Sequence, residues 1–325
     1  RRPNKAIRQR IICLRGMELY LPSAAKEKSM SRFAKRRRVS LFVLTFVLGG
    51  LLASAPSLAA TLDFVPASGA WVNPANWNNG GVPYGSAPLA TDRPRVSGKA
   101  ITIAAGDAAV GNSFEFQNSA GASLTMTGGS LALGNTDIGG GFSFLMRGQG
   151  LFDLQGGTFT LGGKAGIGLD SGTATFWVNG GTATVGGTFN IGRHSIGVLT
   201  ISSGQLTVNN TLNVISEAAS GAAAGTVNLD GGVLAVNRVA EGTVSSHVGT
   251  FNFNGGTLRA LIGTTTFMQG LDNVLVKGAG AVIDSNGQNV TIAQALLDGG
   301  GGGGLTKNGG GYLILSGANT YTGAT

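Results

Sequence analysis

The sequence predicts an all-β protein: a right-handed parallel β-helix, a solenoid, preceded by a signal peptide and an irregular N-terminal cap. Three observations predict it. A strand–glycine turn–strand template recurs, with turns at Gly128, Gly156, Gly180, Ser203, Gly231 and Gly255 in steps of 28, 24, 23, 28 and 24 residues. A repeat of roughly 20–50 residues marks a stacked or radial architecture. The 231 residues after Pro94 contain no proline, which permits uninterrupted sheet because proline removes a ladder donor. Glycine fills 57 of 325 positions and charged residues only 12%, about half the usual ~25%. Those numbers argue against an ordinary helix-rich enzyme, and a hydrophobic content of 42% excludes charged disorder.

Residues 1–29 do not begin with Met and show no periodicity; they read as an upstream or non-structural extension, with Met17 or Met30 as the start. Residues 30–60 read as a secretory signal. Arg32, Lys35, Arg36, Arg37 and Arg38 form its basic region, an apolar run of 15 residues (39–53) follows, and the end is rich in small residues. Ser57 and Ala59 suit the −3 and −1 positions, so cleavage is expected after Ala59 or Ala60. The run is short of the ~20 residues that span a bilayer, so the mature chain is expected to carry no transmembrane span; an uncleaved anchor is the alternative. The only cysteine, Cys13, precedes the signal, leaving the exported part with neither disulfides nor a cysteine metal site.

The charge divides at the same boundary. Residues 1–60 hold 13 Lys/Arg and 2 Asp/Glu, whereas 61–325 hold 10 and 13, a net of −3. The overall charge of +8 therefore belongs to the leader, and nucleic-acid binding loses its basis.

Residues 61–104 read as the cap. They carry Trp71, Trp77, Tyr84 and Pro66, Pro74, Pro83, Pro88 and Pro94, and a solenoid must cover its first strand edge against other chains. Exposed aromatics serving as a sugar-stacking platform are the alternative. Residues 105–298 read as the repeat body, each rung holding three short strands. The proline-free stretch after Pro94 amounts to roughly nine rungs, which at about 4.8 Å each make about 45 Å of length. Leu, Val, Ile, Phe and Ala are expected inward; Thr, Ser and Asn are expected outward, in hydrogen-bonded ladders. A β-propeller wants about 40 residues and four strands per blade, which this spacing does not supply. The longer steps place extra residues at 139–150, 216–225 and 237–249. Asp137, Arg147, Lys164, Asp170, Arg193, His194, Glu217, Arg238, Glu241 and His247 lie in these connectors, suggesting one polar edge, which in repeat proteins is the usual binding side.

The last segment, 299–325, carries a specific motif. Gly304-Leu-Thr-Lys-Asn-Gly-Gly-Gly-Tyr-Leu-Ile-Leu-Ser-Gly-Ala-Asn-Thr-Tyr-Thr-Gly323 resembles the autotransporter-associated β-strand repeat, also called the passenger-associated transport repeat. The matching positions are Leu305, Thr306, Lys307, Gly309, Gly311, Leu313, Leu315, Ser316, Gly317, Asn319, Thr320, Tyr321, Thr322 and Gly323, and with its approach the resemblance spans 272–325. It implies a type V secreted passenger, non-catalytic, displayed at the bacterial cell surface for adhesion or contact. The partners implied are the outer-membrane translocation machinery and a host or cell-surface glycan or protein. A passenger of this family is normally followed by a membrane β-barrel; this sequence stops in mid-repeat at Thr325.

Catalysis has little to build on. Asn135-Thr-Asp137 matches the first acidic motif of polygalacturonases, but the paired Asp-Asp, Gly-His-Gly and Arg-Ile-Lys elements are missing. One carboxylate cannot serve as both acid and base, so Asp137 is expected to be a turn residue. The nonapeptide Ca²⁺ repeat does not recur, and His194 and His247, 53 residues apart, read as solvated loop residues. The glycine run 299–304 lacks a following Lys-Ser/Thr and reads as a turn between rungs. The expectation is therefore no enzyme and no cofactor, with a secreted carbohydrate-active or polysaccharide-binding β-helix as the alternative.

Overall fold

The computed structural model describes residues 59–216, 223–242 and 247–325. The basic region and apolar run of the leader, and Glu217, lie outside them. The described chain is a β-solenoid of about nine turns with parallel strands. Its only helical element there is a 3₁₀ turn, Pro74–Asn76, and among the described residues no helix is long and apolar enough to cross a membrane.

Three faces make each turn. Face A begins with Thr61–Phe64, Arg93–Val96, Phe114–Phe116, Phe142–Met146 and Lys164–Ile167, each pairing in parallel with the next. Face B runs from Ser68–Ala70 and Ala100–Ile103 through the first halves of Ala122–Leu133, Gly150–Leu161 and Thr173–Val185. Face C takes Ala108–Gly111 and then the second halves of the same long strands. Faces B and C are thus one strand bent at its glycine turn. In five successive turns the bend falls on a positive-φ residue: Gly129, Gly157, Gly181, Gly204 and Gly232, with φ between 59° and 80°. A side chain is strained in that region, which accounts for the column of glycines.

Alternation places the residue types as expected. Phe114, Phe144, Phe152, Phe176 and Phe189 are fully buried and form a continuous ring ladder, with Phe152 and Phe176 stacked at 4.4 Å and Phe176 and Phe189 edge-to-face at 5.2 Å. Outward side chains bond from rung to rung: Asn252 Nδ2 donates to Asn228 at 2.8 Å and Asn213 Nδ2 to Asn190 at 2.8 Å.

Two boundaries differ from expectation. Within 61–104, four strands already stack as rungs, and the capping element is the insertion 71–92. Its strand Trp77–Asn79 pairs antiparallel with Thr61–Phe64, and Val82–Pro83 pairs outside it. A two-residue outer strand containing proline discourages further pairing. Trp71 and Trp77 are fully buried, pack edge-to-face at 5.2 Å and close the end of the core. Because they are buried, they offer no sugar platform. The span 139–150 is also not simply a connector, since Phe142–Met146 within it is a buried strand of face A. Its outward residues Phe142 and Leu145 are covered by Leu169 and Ile138, so the strand is apolar on both sides and shows no alternation.

Candidate functional site

The chain turns from face A to face B at one corner of the solenoid, and polar residues collect there. Arg147, Asp170, Arg193, His194, Glu241 and His247 lie between a face A strand and the next face B strand. Other residues expected on this edge lie elsewhere. Asp137 sits on the corner leading into face A, Lys164 opens a face A strand, and Arg238 lies within one. Asp137 is a turn residue: its Oδ1 accepts the Gly139 and Gly141 N–H groups at 2.7 and 2.9 Å, and the Gly139 bond above all holds its carboxyl below the usual range. His247 departs from expectation, being 7% exposed rather than solvated. Among the described residues no group of three or more His, Cys, Asp and Glu is placed to hold a metal ion.

Polar side chains of the corner bind one turn to the next. Asp272 Oδ2 accepts the Gly249 N–H, Gln294 Oε1 the Leu271 N–H and Asn319 Oδ1 the Leu296 N–H, each at 2.8–2.9 Å and each from 23 residues earlier. These acceptors satisfy amides that would otherwise be left unpaired where the ladder breaks to round the corner. Sequence reasoning missed this relay because the acceptors differ in type and their own spacing is uneven.

Glu241 is the unusual group of the corner. Its Oε2 is buried without a hydrogen-bond partner. Burial first, and the Asp272 carboxylate second, push its pKa up to about 7. Unfolding returns it to about 4.5, so the folded state holds a proton that the unfolded chain releases between those values. Its contribution to stability is therefore fully present below pH 4.5 and lost as pH rises through 7. We expect Glu241→Gln to raise stability at pH 8 by about 1–2 kcal/mol, a figure reduced for partial exposure, with almost no effect at pH 4. Thermal denaturation of both proteins across that range checks the sign.

A second polar region starts on the first turns of face A and runs into this corner at Arg147 and Asp170. Arg95 forms a two-pronged pair with Asp63, one prong at 3.0 Å. Glu115 pairs with Arg147, and Arg147 Nη1 lies 3.8 Å from Asp170. Asp63, Arg95, Glu115, Arg147 and Asp170 thus alternate in sign over five successive turns. Beside this ladder, Arg93, Arg95, Ser113 and Glu115 line a cleft of about 190 Å³. Arg93 Nε and Ser113 Oγ are buried there without a protein partner, a demand that an ordered water or a ligand oxygen would satisfy.

The motif at 304–323 is one turn of the stack. Leu305 is buried, while Leu313, Leu315 and Tyr321 pack half-buried against the core. Thr306 and Thr322 face solvent, and Lys307 Nζ donates to the Gly309 carbonyl. Gly309 and Gly311 have positive φ. Ser316 N–H donates to Ile292, Thr320 N–H to Leu296 and Gly323 N–H to Gly303. At Gly317 a Cβ would stand 2.4 Å from the Gln294 carbonyl oxygen. Leu305, Leu313, Leu315 and Tyr321 therefore face inward while Tyr312 and Ile314 are exposed, and Asn319 supplies one link of the corner relay. Comparison of the chain with protein-family models, with curated proteins and with solved structures finds no match.

Proposed function

We propose that the protein is an exported, non-catalytic β-helical passenger or stalk of a type V secretion system, presented at the bacterial cell surface for adhesion or contact. One observation carries the reading: the transport-repeat-like motif 304–323 forms a whole turn on a solenoid whose sequence is preceded by a signal-like leader. Physical features support it. Residues 14–325 contain no cysteine, so no disulfide can block passage of an extended chain through a membrane pore. A solenoid gains stability turn by turn from neighbouring contacts, so folding can proceed as the chain emerges.

The test is to place residues 30–325 ahead of an outer-membrane translocator β-barrel in a Gram-negative host and to measure protease accessibility on intact cells. Surface exposure is expected for this chain. Deleting 304–323 is expected to reduce exposed material several-fold, because the amide of Leu296 loses its acceptor and the stack loses a whole turn. Retention of the intact chain inside the cell would overturn the reading.

A further inference from the structure

We propose that cleavage of the Ala59–Ala60 bond creates the cation for a buried carboxylate, the new α-ammonium of Ala60 pairing with Asp92 and locking the first turn. Asp92 is fully buried. Its Oδ1 accepts the Ala60 N–H at 3.1 Å, and its Oδ2 accepts the Leu89 N–H at 2.8 Å and the Tyr84 hydroxyl at 3.0 Å. All three donors are neutral, and none of the ion pairs among the described residues includes Asp92. A carboxylate buried with neutral donors alone is costly, and a paired cation offsets much of that cost. The neighbouring Arg93 does not supply it through Nε, which has no partner.

Hydrolysis places the missing charge where it is needed. Water adds across the Ala59–Ala60 bond; the hydroxyl goes to the Ala59 carbonyl carbon, which departs as the carboxylate of the leader. The Ala60 nitrogen takes the hydrogen and, near neutral pH, a further proton. That nitrogen already stands 3.1 Å from Asp92 Oδ1.

The same geometry chooses between the two expected cuts. Ala60 is 8% exposed, and its carbonyl accepts the Arg93 N–H at 2.7 Å; Ala59 is exposed. Cutting after Ala59 keeps Ala60 in the first turn and leaves Ser57 and Ala59 at the −3 and −1 positions. Cutting after Ala60 removes a donor from Asp92 and puts Leu58, a large residue, at −3.

The inference rests on the export reading for the enzyme that makes the cut, so the test separates the two. The chain from Met30 is exported in a bacterial host, and the product is analysed by intact mass and N-terminal sequencing. A first residue of Ala60 is expected. A product starting at Thr61 or elsewhere overturns the proposal and leaves export standing; an uncleaved product retained in the cell overturns both. The ion pair is measured separately on protein released from a fusion partner so that it begins at Ala60. Blocking its α-amine by acetylation is expected to lower the melting temperature by roughly 3–8 °C, and D92N is expected to abolish that difference. Equal melting of the free and acetylated forms would overturn the pairing, as would an acetylation effect that persists in D92N.

Discussion

Gly225→Ala is expected to destabilise the solenoid by at least about 3 kcal/mol and to reduce the yield of folded protein. Gly225 belongs to a column of small residues where face B begins, in register with Gly197 below and Gly249 above. A Cβ there would stand 1.4 Å from the Val214 carbonyl oxygen and 2.6 Å from that of Ile191. Both obstacles are backbone, in two different turns, so no rotamer change relieves the clash and the turns must part. Gly249 provides the control. Its Cβ would first meet Glu241 Oε2 at 3.2 Å, the end of a side chain able to swing away, so Gly249→Ala is expected to cost about 1 kcal/mol or less. Urea denaturation of both variants checks the difference. Hydrogen exchange should place the opening caused by Gly225→Ala in the turns on either side of it, since contacts in a solenoid are made only between neighbours. Similar losses for the two variants would show that side-chain entropy in the column, not backbone approach, sets the cost.

Phe144→Ala is expected to cost about 3–5 kcal/mol, and Phe144→Leu less than about 1.5. Phe144 is fully buried and comes from face A, yet its ring reaches residues of all three faces. Its centroid lies 5.9 Å from Phe116 on face A, 5.6 Å from Phe152 on face B and 5.6 Å from Phe159 on face C, with Phe176 of the following turn at 5.9 Å. Truncation removes the transfer free energy of the ring and leaves a cavity that rigid strands on three sides cannot close. It also forfeits several edge-to-face contacts at once. Leucine refills most of the volume, so the gap between the two variants measures how far the turns can relax. Thermal melts of both, followed by near-ultraviolet circular dichroism, make the comparison.

Faces B and C were legible in the sequence because they are long: Gly150–Leu161 alternates over twelve residues about a glycine pair. Face A was less so. Phe189–Ile191 is three residues, too short for a period of two to register, and Phe142–Met146 is covered on both sides. The position of the tryptophans in the core of the first turn depends on the pairing of Trp77 with Phe64, a contact across an insertion that no local pattern announces. The polar corner was legible as a concentration of charge, since polar residues gather where the ladder breaks. Its working detail was not. The raised pKa of Glu241 depends first on its burial and then on Asp272, one turn away, and the pairing of Asp92 depends on Ala60, 32 residues earlier. Such distances become contacts only after the number of residues in each turn has been set.

The alternating charges that begin on face A bear on how that number is kept. The turns resemble one another closely, so a strand that bypassed its proper neighbour and paired with the one beyond would find much the same pattern of hydrogen bonds and apolar residues. The charge sequence is not so forgiving. Asp63, Arg95, Glu115, Arg147 and Asp170 change sign at every turn, so residues two turns apart carry the same charge. Asp63, Arg95 and Glu115 stand in one register, so skipping the strand Arg93–Val96 would set Asp63 directly against Glu115, where like charges repel. The ladder is thus a parity check on assembly: it adds little to the stability of the finished stack, and it penalises the miscounted one.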